Sequence, residues 1–177
     1  MFLYLAMIDS DADKSKFEIL YSEYKNLMYY TANRILRNSS DAEDVVHQAF
    51  LKVIEILDTI SSPRCHKTRA LLVTITEHKA IDLYREKQRR NVLPLAEEYI
   101  GAAPAAEIER LAARDTLAAA IASLPPRYRS VLLLRYDCGY SNAEIANILD
   151  TTEPNVRKLI QRAKEKLSAA LSGMEEL

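Results

Sequence analysis

Apolar positions recur every three or four residues over most of the chain, and that spacing predicts helices rather than strands. From 14 to 36, Phe17, Leu20, Tyr21, Tyr24, Leu27, Met28, Thr31 and Ile35 form one stripe. A polar turn at Arg37-Asn38-Ser39-Ser40 ends it, with the last serine or Asp41 placed to cap a second helix over 41–57. There Val45, Ala49, Val53 and Ile56 form the stripe, broadened by Val46, Phe50 and Leu57. Residues 58–69 lack periodicity and read as a loop. A helix over 69–90 begins almost wholly apolar and finishes basic. The periodicity fails from Asn91, through NVLPLAEEYIGAAPAAE, so 92–106 reads as a flexible linker. A helix resumes near Ala105 and stops at Ser123-Leu124-Pro125-Pro126. The next, RYRSVLLLRYDCG, ends at Gly139, a residue suited to terminating a helix.

The stretch 141–168 holds two helices joined by a tight turn. Ile145, Ala146 and Leu149 on the first face Val156 and Leu159 on the second, as a helix-turn-helix requires. Small Ala146 permits close approach, and Asp150 falls where the chain must swing out, through a φ that Asp tolerates. Thr152 is an N-cap, Glu153 places negative charge in the first turn, and Pro154 is tolerated there. Arg157, Lys158, Gln161, Arg162, Lys164 and Lys166 follow. Such a row of long donors is what a major-groove reading helix presents.

Composition narrows the picture. With three glycines, six prolines and abundant helix formers in 177 residues, the chain is expected to be all-α: two small helical domains joined by a flexible linker, the second containing the helix-turn-helix. The net charge of −1 hides an uneven distribution. Residues 1–63 carry six Lys/Arg against ten Asp/Glu, 64–90 carry eight against three, and 97–115 carry two against five. Two basic segments separated by an acidic one suggest two nucleic-acid contacts. Loop residues Arg64, His66, Lys67 and Arg69, with the basic end of the following helix, could hold an unstacked base and its phosphates. Asp41, Glu43 and Asp44 serve equally as favourable charge at a helix start or as an acidic docking face. The apolar start MFLYLAMI is too short to span a membrane and lacks a signal peptide's basic start; it adds a strand or a turn of helix to the first domain. Two distant cysteines indicate neither a disulfide nor zinc, and no metal, cofactor or catalytic constellation is expected. A soluble cytoplasmic protein is expected.

In order and spacing, these motifs resemble those of bacterial RNA polymerase sigma factors. DAEDVVHQAFLKV resembles the acidic-start helix of their first conserved domain. ALLVTITEHKAIDLYREKQRR resembles the helix that reads promoter DNA. LPPRYRSVLLLRY and GYSNAEIANILDTTEPNVRKLIQRAKEKL resemble their C-terminal domain, and the short two-domain chain is similar to the extracytoplasmic-function (ECF) class. The resemblance implies region 2 over 1–91, a linker over 92–106 and region 4 over 107–177. It implies core RNA polymerase (β and β′ subunits), promoter DNA and an anti-sigma factor as partners, with no membrane insertion. Polymerase docking would fall to Asp41, Glu43, Asp44, Gln48 and Phe50. Recognition and opening of the minus-ten element would fall to Arg64, His66, Lys67, Arg69, His78, Lys79, Asp82, Arg85 and Arg89. The minus-thirty-five element would be read by Thr152, Asn155, Arg157, Lys158, Gln161 and Arg162. The chain departs from the family pattern at Leu71, where an aromatic is usual and a core role is expected, at His78 in place of Asn, at Asp150 in place of Gly, and at Pro154 in place of a small residue. A stand-alone helix-turn-helix regulator, and a protein-binding adaptor that sequesters a sigma factor, are the competing readings.

Overall fold

A computed structural model describes residues 2–90 and 116–175. The chain divides into two compact units, Met1–Leu93 and Pro94–Leu177, and every element described is helical. The expected linker at 92–106, and the part of the following helix expected before residue 116, lie outside the described residues.

In the first unit, α1 (Phe2–Leu5) is a single turn, α2 runs Asp11–Leu36, α3 Ser39–Glu55 and α4 His66–Arg90, with a 3₁₀ turn at Leu57–Thr59. The Ser10 side chain caps α2 by accepting from the Asp13 N–H at 3.4 Å. Arg37 closes α2 in the left-handed region at φ 51°. Asn38, rather than Ser40 or Asp41, caps α3, its Oδ1 accepting from the Asp41 N–H at 3.0 Å. The helix therefore begins two residues earlier than expected, because asparagine's short amide reaches the third amide of the turn.

The α2, α3 and α4 stripes converge on a core of Phe17, Leu20, Met28, Val45, Phe50, Leu71, Leu72 and Ile75, each at most 1 % exposed. Its centre is aromatic. Phe50 meets Phe17 edge-on at 5.7 Å between centroids and lies 4.9 Å from Tyr21. The expected N-terminal apolar turn supplies the lid: Tyr4 packs on Phe17 and Phe50 and hydrogen-bonds His47 Nδ1 at 2.6 Å. Leu71 stands inside this core as expected.

Helix α4 starts at His66, three residues earlier than the periodicity indicates. Cys65 precedes it, its carbonyl accepting from the Arg69 N–H at 3.1 Å and its sulfur from the Thr68 N–H at 3.4 Å. Those Thr68 contacts, its hydroxyl first and then its N–H, lower the Cys65 thiol below its ordinary range.

In the second unit, α5 (Thr116–Ser123) and α6 (Pro126–Leu132) lead into a π-helical turn at Leu133–Asp137, where the Cys138 N–H donates to the Leu133 carbonyl at 2.9 Å. Gly139 then leaves at φ +84°, a conformation that side chains other than glycine's rarely adopt. Helices α7 (Asn142–Ile148) and α8 (Glu153–Glu175) complete the unit around Val131, Leu134, Ile145, Val156 and Ala163, all fully buried.

A capping box sets the start of α7. Ser141 Oγ accepts from the Glu144 N–H at 3.2 Å, and Glu144 Oε2 accepts from the Ser141 N–H at 2.7 Å. These bonds hold the Glu144 carboxyl below its usual range. Ser141→Ala is expected to cost about 1 kcal/mol, read as a lower midpoint in thermal unfolding of the full chain.

No described helix is long and apolar enough to cross a membrane.

Candidate functional site

The turn between α7 and α8 follows from its residues. Asp150 adopts φ 48°, the left-handed conformation expected of it. The Thr151 N–H donates to the Ala146 carbonyl at 2.9 Å and the Asp150 N–H to the Asn147 carbonyl at 3.3 Å, the two bonds of a Schellman closure. Thr152 stands just before α8, its carbonyl accepting from the Val156 N–H at 3.0 Å. Pro154 occupies the second helical position, where no intrahelical amide is lost.

Val156, Leu159 and Ala163 bury one face of α8, and Arg157, Lys158, Gln161 and Arg162 stand exposed on the other. Asn155 is half-buried, its Nδ2 donating to Thr151 Oγ1 at 2.8 Å. Arg157 Nη2 pairs with Glu153 Oε1 at 2.8 Å, and Gln161 Nε2 donates to Glu165 Oε1 at 3.2 Å. Lys158 and Arg162 have no partner among the described residues. The exposed strip therefore combines oriented side chains with two cations open to phosphate.

On α4 the candidate residues fall into two groups. Arg64, just before the helix, and His66 and Lys67 in its first turn are exposed, and Arg69 is half-buried. These residues form a helix start rather than the loop expected from the sequence, apart from Arg64, whose Nε donates to Glu23 Oε1 of α2 at 3.1 Å. Further along, His78 and Lys79 are half-buried, while Asp82, Arg85 and Arg89 are exposed. His78, Asp82, Arg85 and Arg89 follow one helical row by their 4-3-4 spacing. From Arg69 to His78 the helix rises about 14 Å, so the two groups are spaced along α4 rather than gathered in one turn.

The acidic turn of α3 separates into two kinds of carboxylate. Asp41 lies in the first turn and pairs with Lys87 of α4 at 2.5 Å, so capping charge and an internal ion pair account for it. Glu43 and Asp44 lie beyond the first turn, where the helix dipole has faded, and both are exposed. With exposed Gln48 they have no internal partner among the described residues. Phe50 corrects the sequence expectation: it is 0 % exposed and belongs to the aromatic core, so it holds α3 in place and offers a partner no surface. Beside the acidic face an open pocket of about 470 Å³ is lined by Tyr4, Tyr21, Lys25, Asn26, Tyr29, Glu43, Val46 and His47. Tyr29 is half-buried at this pocket, and its neighbour Tyr30 is exposed.

No group of three or more His, Cys, Asp or Glu among the described residues could hold a metal ion.

Residues 20–90 match the family model for sigma-70 region 2, and residues 114–167 match that for sigma-70 region 4. The chain is 27 % identical over 171 residues to the ECF RNA polymerase sigma factor SigW of Bacillus subtilis (strain 168), covering 90 % of each chain. It is 28 % identical over 162 residues to SigL, an ECF RNA polymerase sigma factor of Mycobacterium tuberculosis, covering 90 % of this chain and 91 % of that one. Among solved structures, CnrH in complex with the cytosolic domain of CnrY is 27 % identical and covers 89 % of this chain and 88 % of that one, with a TM-score of 0.39. With both region models matched in order and curated relatives aligned over nine-tenths of its length, the chain belongs to the sigma-70 family of RNA polymerase sigma factors, in the ECF class.

Proposed function

We infer that the chain binds core RNA polymerase, directs it to specific promoters and assists melting for transcription initiation. The observation that carries this reading is the pairing, in one chain, of a region 2 unit with a region 4 unit whose helix-turn-helix exposes a strip of donors. A stand-alone helix-turn-helix regulator would need a self-complementary face and a palindromic site, and the region 2 match gives its N-terminal half a different use.

The finer assignment follows the chemistry of each surface. Residues 1–91 dock on polymerase through Glu43, Asp44 and Gln48, and meet the minus-ten element through Arg64 and the two groups on α4. Residues 92–106 tether residues 107–177, whose α8 enters the major groove of the minus-thirty-five element with Asn155, Arg157, Lys158, Gln161 and Arg162, and Thr152 at its start. The chain acts as a non-enzymatic initiation factor in the cytoplasm, and an anti-sigma factor is its inhibitory partner by family resemblance. Two small modules on a tether bind DNA weakly until polymerase fixes their spacing.

The test is co-elution of the full chain with core polymerase from the source organism, followed by footprinting. Holoenzyme is expected to protect upstream DNA that the free chain leaves open. A free chain that protects a palindrome without polymerase would replace this reading with the regulator. Lys158→Ala is expected to weaken holoenzyme binding evenly across promoters and to lower the slope of log affinity against log salt by about 1, measured by fluorescence anisotropy.

A further inference from the structure

Half-buried Asn155, beside the exposed strip, is tied to the turn rather than to α8 itself. Its Nδ2 donates to Thr151 Oγ1 at 2.8 Å, whereas Arg157 and Gln161 pair with acids on their own helix. The Thr151 backbone is in turn fixed by its 2.9 Å bond to the Ala146 carbonyl, which closes α7. A continuous line of bonds thus runs from the end of the first helix to an amide in the first turn of the second. One Asn155 N–H is committed to Thr151. The amide keeps one further N–H donor and its Oδ1 acceptor, the donor and acceptor types that N7 and the N6 amino group of adenine call for in the major groove.

We propose that Thr151 is a positioning residue that orients Asn155 to read one adenine of the minus-thirty-five element. This rests on the placement of α8 in the major groove given above. Thr151 itself touches no DNA. Its hydroxyl removes the freedom of the Asn155 amide to rotate or flip, so the remaining donor and acceptor are presented before binding. The internal pairs of Arg157 and Gln161 lie within the helix and carry no comparable link to the turn.

The test uses holoenzyme reconstituted from the full chain and core polymerase on a promoter library randomised through the upstream element, with transcript yield read for each base at each position. Asn155→Ala is expected to lose adenine preference at one position, by about 5- to 150-fold. Thr151→Val is expected to reduce preference at that same position by about two- to tenfold, and Thr151→Ser to restore it. Thermal unfolding of each variant confirms that the second unit is folded. A Thr151→Val effect that is uniform across sequences, falls at a different position or is absent would overturn the proposal, as would retained adenine preference in Asn155→Ala. Arg162→Glu separates the underlying reading: if transcription keeps its dependence on the upstream element in that variant and in Lys158→Glu, the major-groove placement itself fails.

Discussion

Phe50→Ala is expected to destabilise the N-terminal unit by about 3–5 kcal/mol. The side chain is 0 % exposed and sits among Phe17, Tyr21 and Tyr4, with ring centroids 4.9 to 5.9 Å away. Truncation removes buried area, leaves a cavity that the three surrounding helices cannot easily collapse, and breaks the ring contacts together. Small domains hold only about 5–15 kcal/mol in total, so the loss is a large share of the unit's stability. Denaturant unfolding of the full chain measures it, with the C-terminal unit's transition as an internal reference. Polymerase binding falls as a consequence of unfolding, and Phe50→Leu, which keeps much of the volume, retains most of both. An unchanged unfolding midpoint with lost polymerase binding would instead place Phe50 at the interface.

Asp44→Arg should show the opposite pattern. Asp44 is exposed and lies beyond the first turn of α3, so reversing its charge changes stability by about 0.5 kcal/mol or less. In the docked state the new cation would face the basic surface that an acidic helix face selects, at a cost of about 2–5 kcal/mol, or roughly 30-fold or more in affinity for core polymerase. Competition against wild-type chain for limiting core polymerase measures the ratio. Asp41→Arg tests the contrast. It breaks the ion pair to Lys87, so its effect falls on unfolding.

These two variants on one helix show what the sequence made legible. Helical spacing placed Phe50 with Val46 on the core side of α3, while the family resemblance counted it among docking residues. The structure follows the spacing, because a stripe position is fixed by the helix's own geometry. The turn of the helix-turn-helix was legible for the same reason. A short Asp-Thr-Thr break between two apolar stripes leaves the chain few routes, and Asp150 takes the left-handed one. The Ser141–Glu144 box was also written in the sequence as S-x-x-E ahead of an apolar run, although apolar spacing alone passes over it.

What stayed hidden depends on residues distant in the chain. Lys87 meets Asp41 across 46 positions, Arg64 meets Glu23 across 41, and Tyr4 meets His47 across 43. Counted as charges, Lys87 and Arg64 belonged to a DNA-facing basic segment; in the structure each is engaged by a carboxylate of its own unit. The start of α4 was hidden for a local reason. Cysteine is a weak hydrogen-bond acceptor outside the usual capping set, so Cys65 gives no signal of a helix beginning at His66.

The most direct test of the account is transcription in vitro: the full chain with core RNA polymerase on a pool of genomic fragments from the source organism, with start sites mapped. New starts sharing a pair of upstream elements, lost with Asp44→Arg and with Arg162→Glu, are the predicted result. No new starts in the presence of core polymerase, together with tight binding of the chain alone to palindromic DNA, would contradict it.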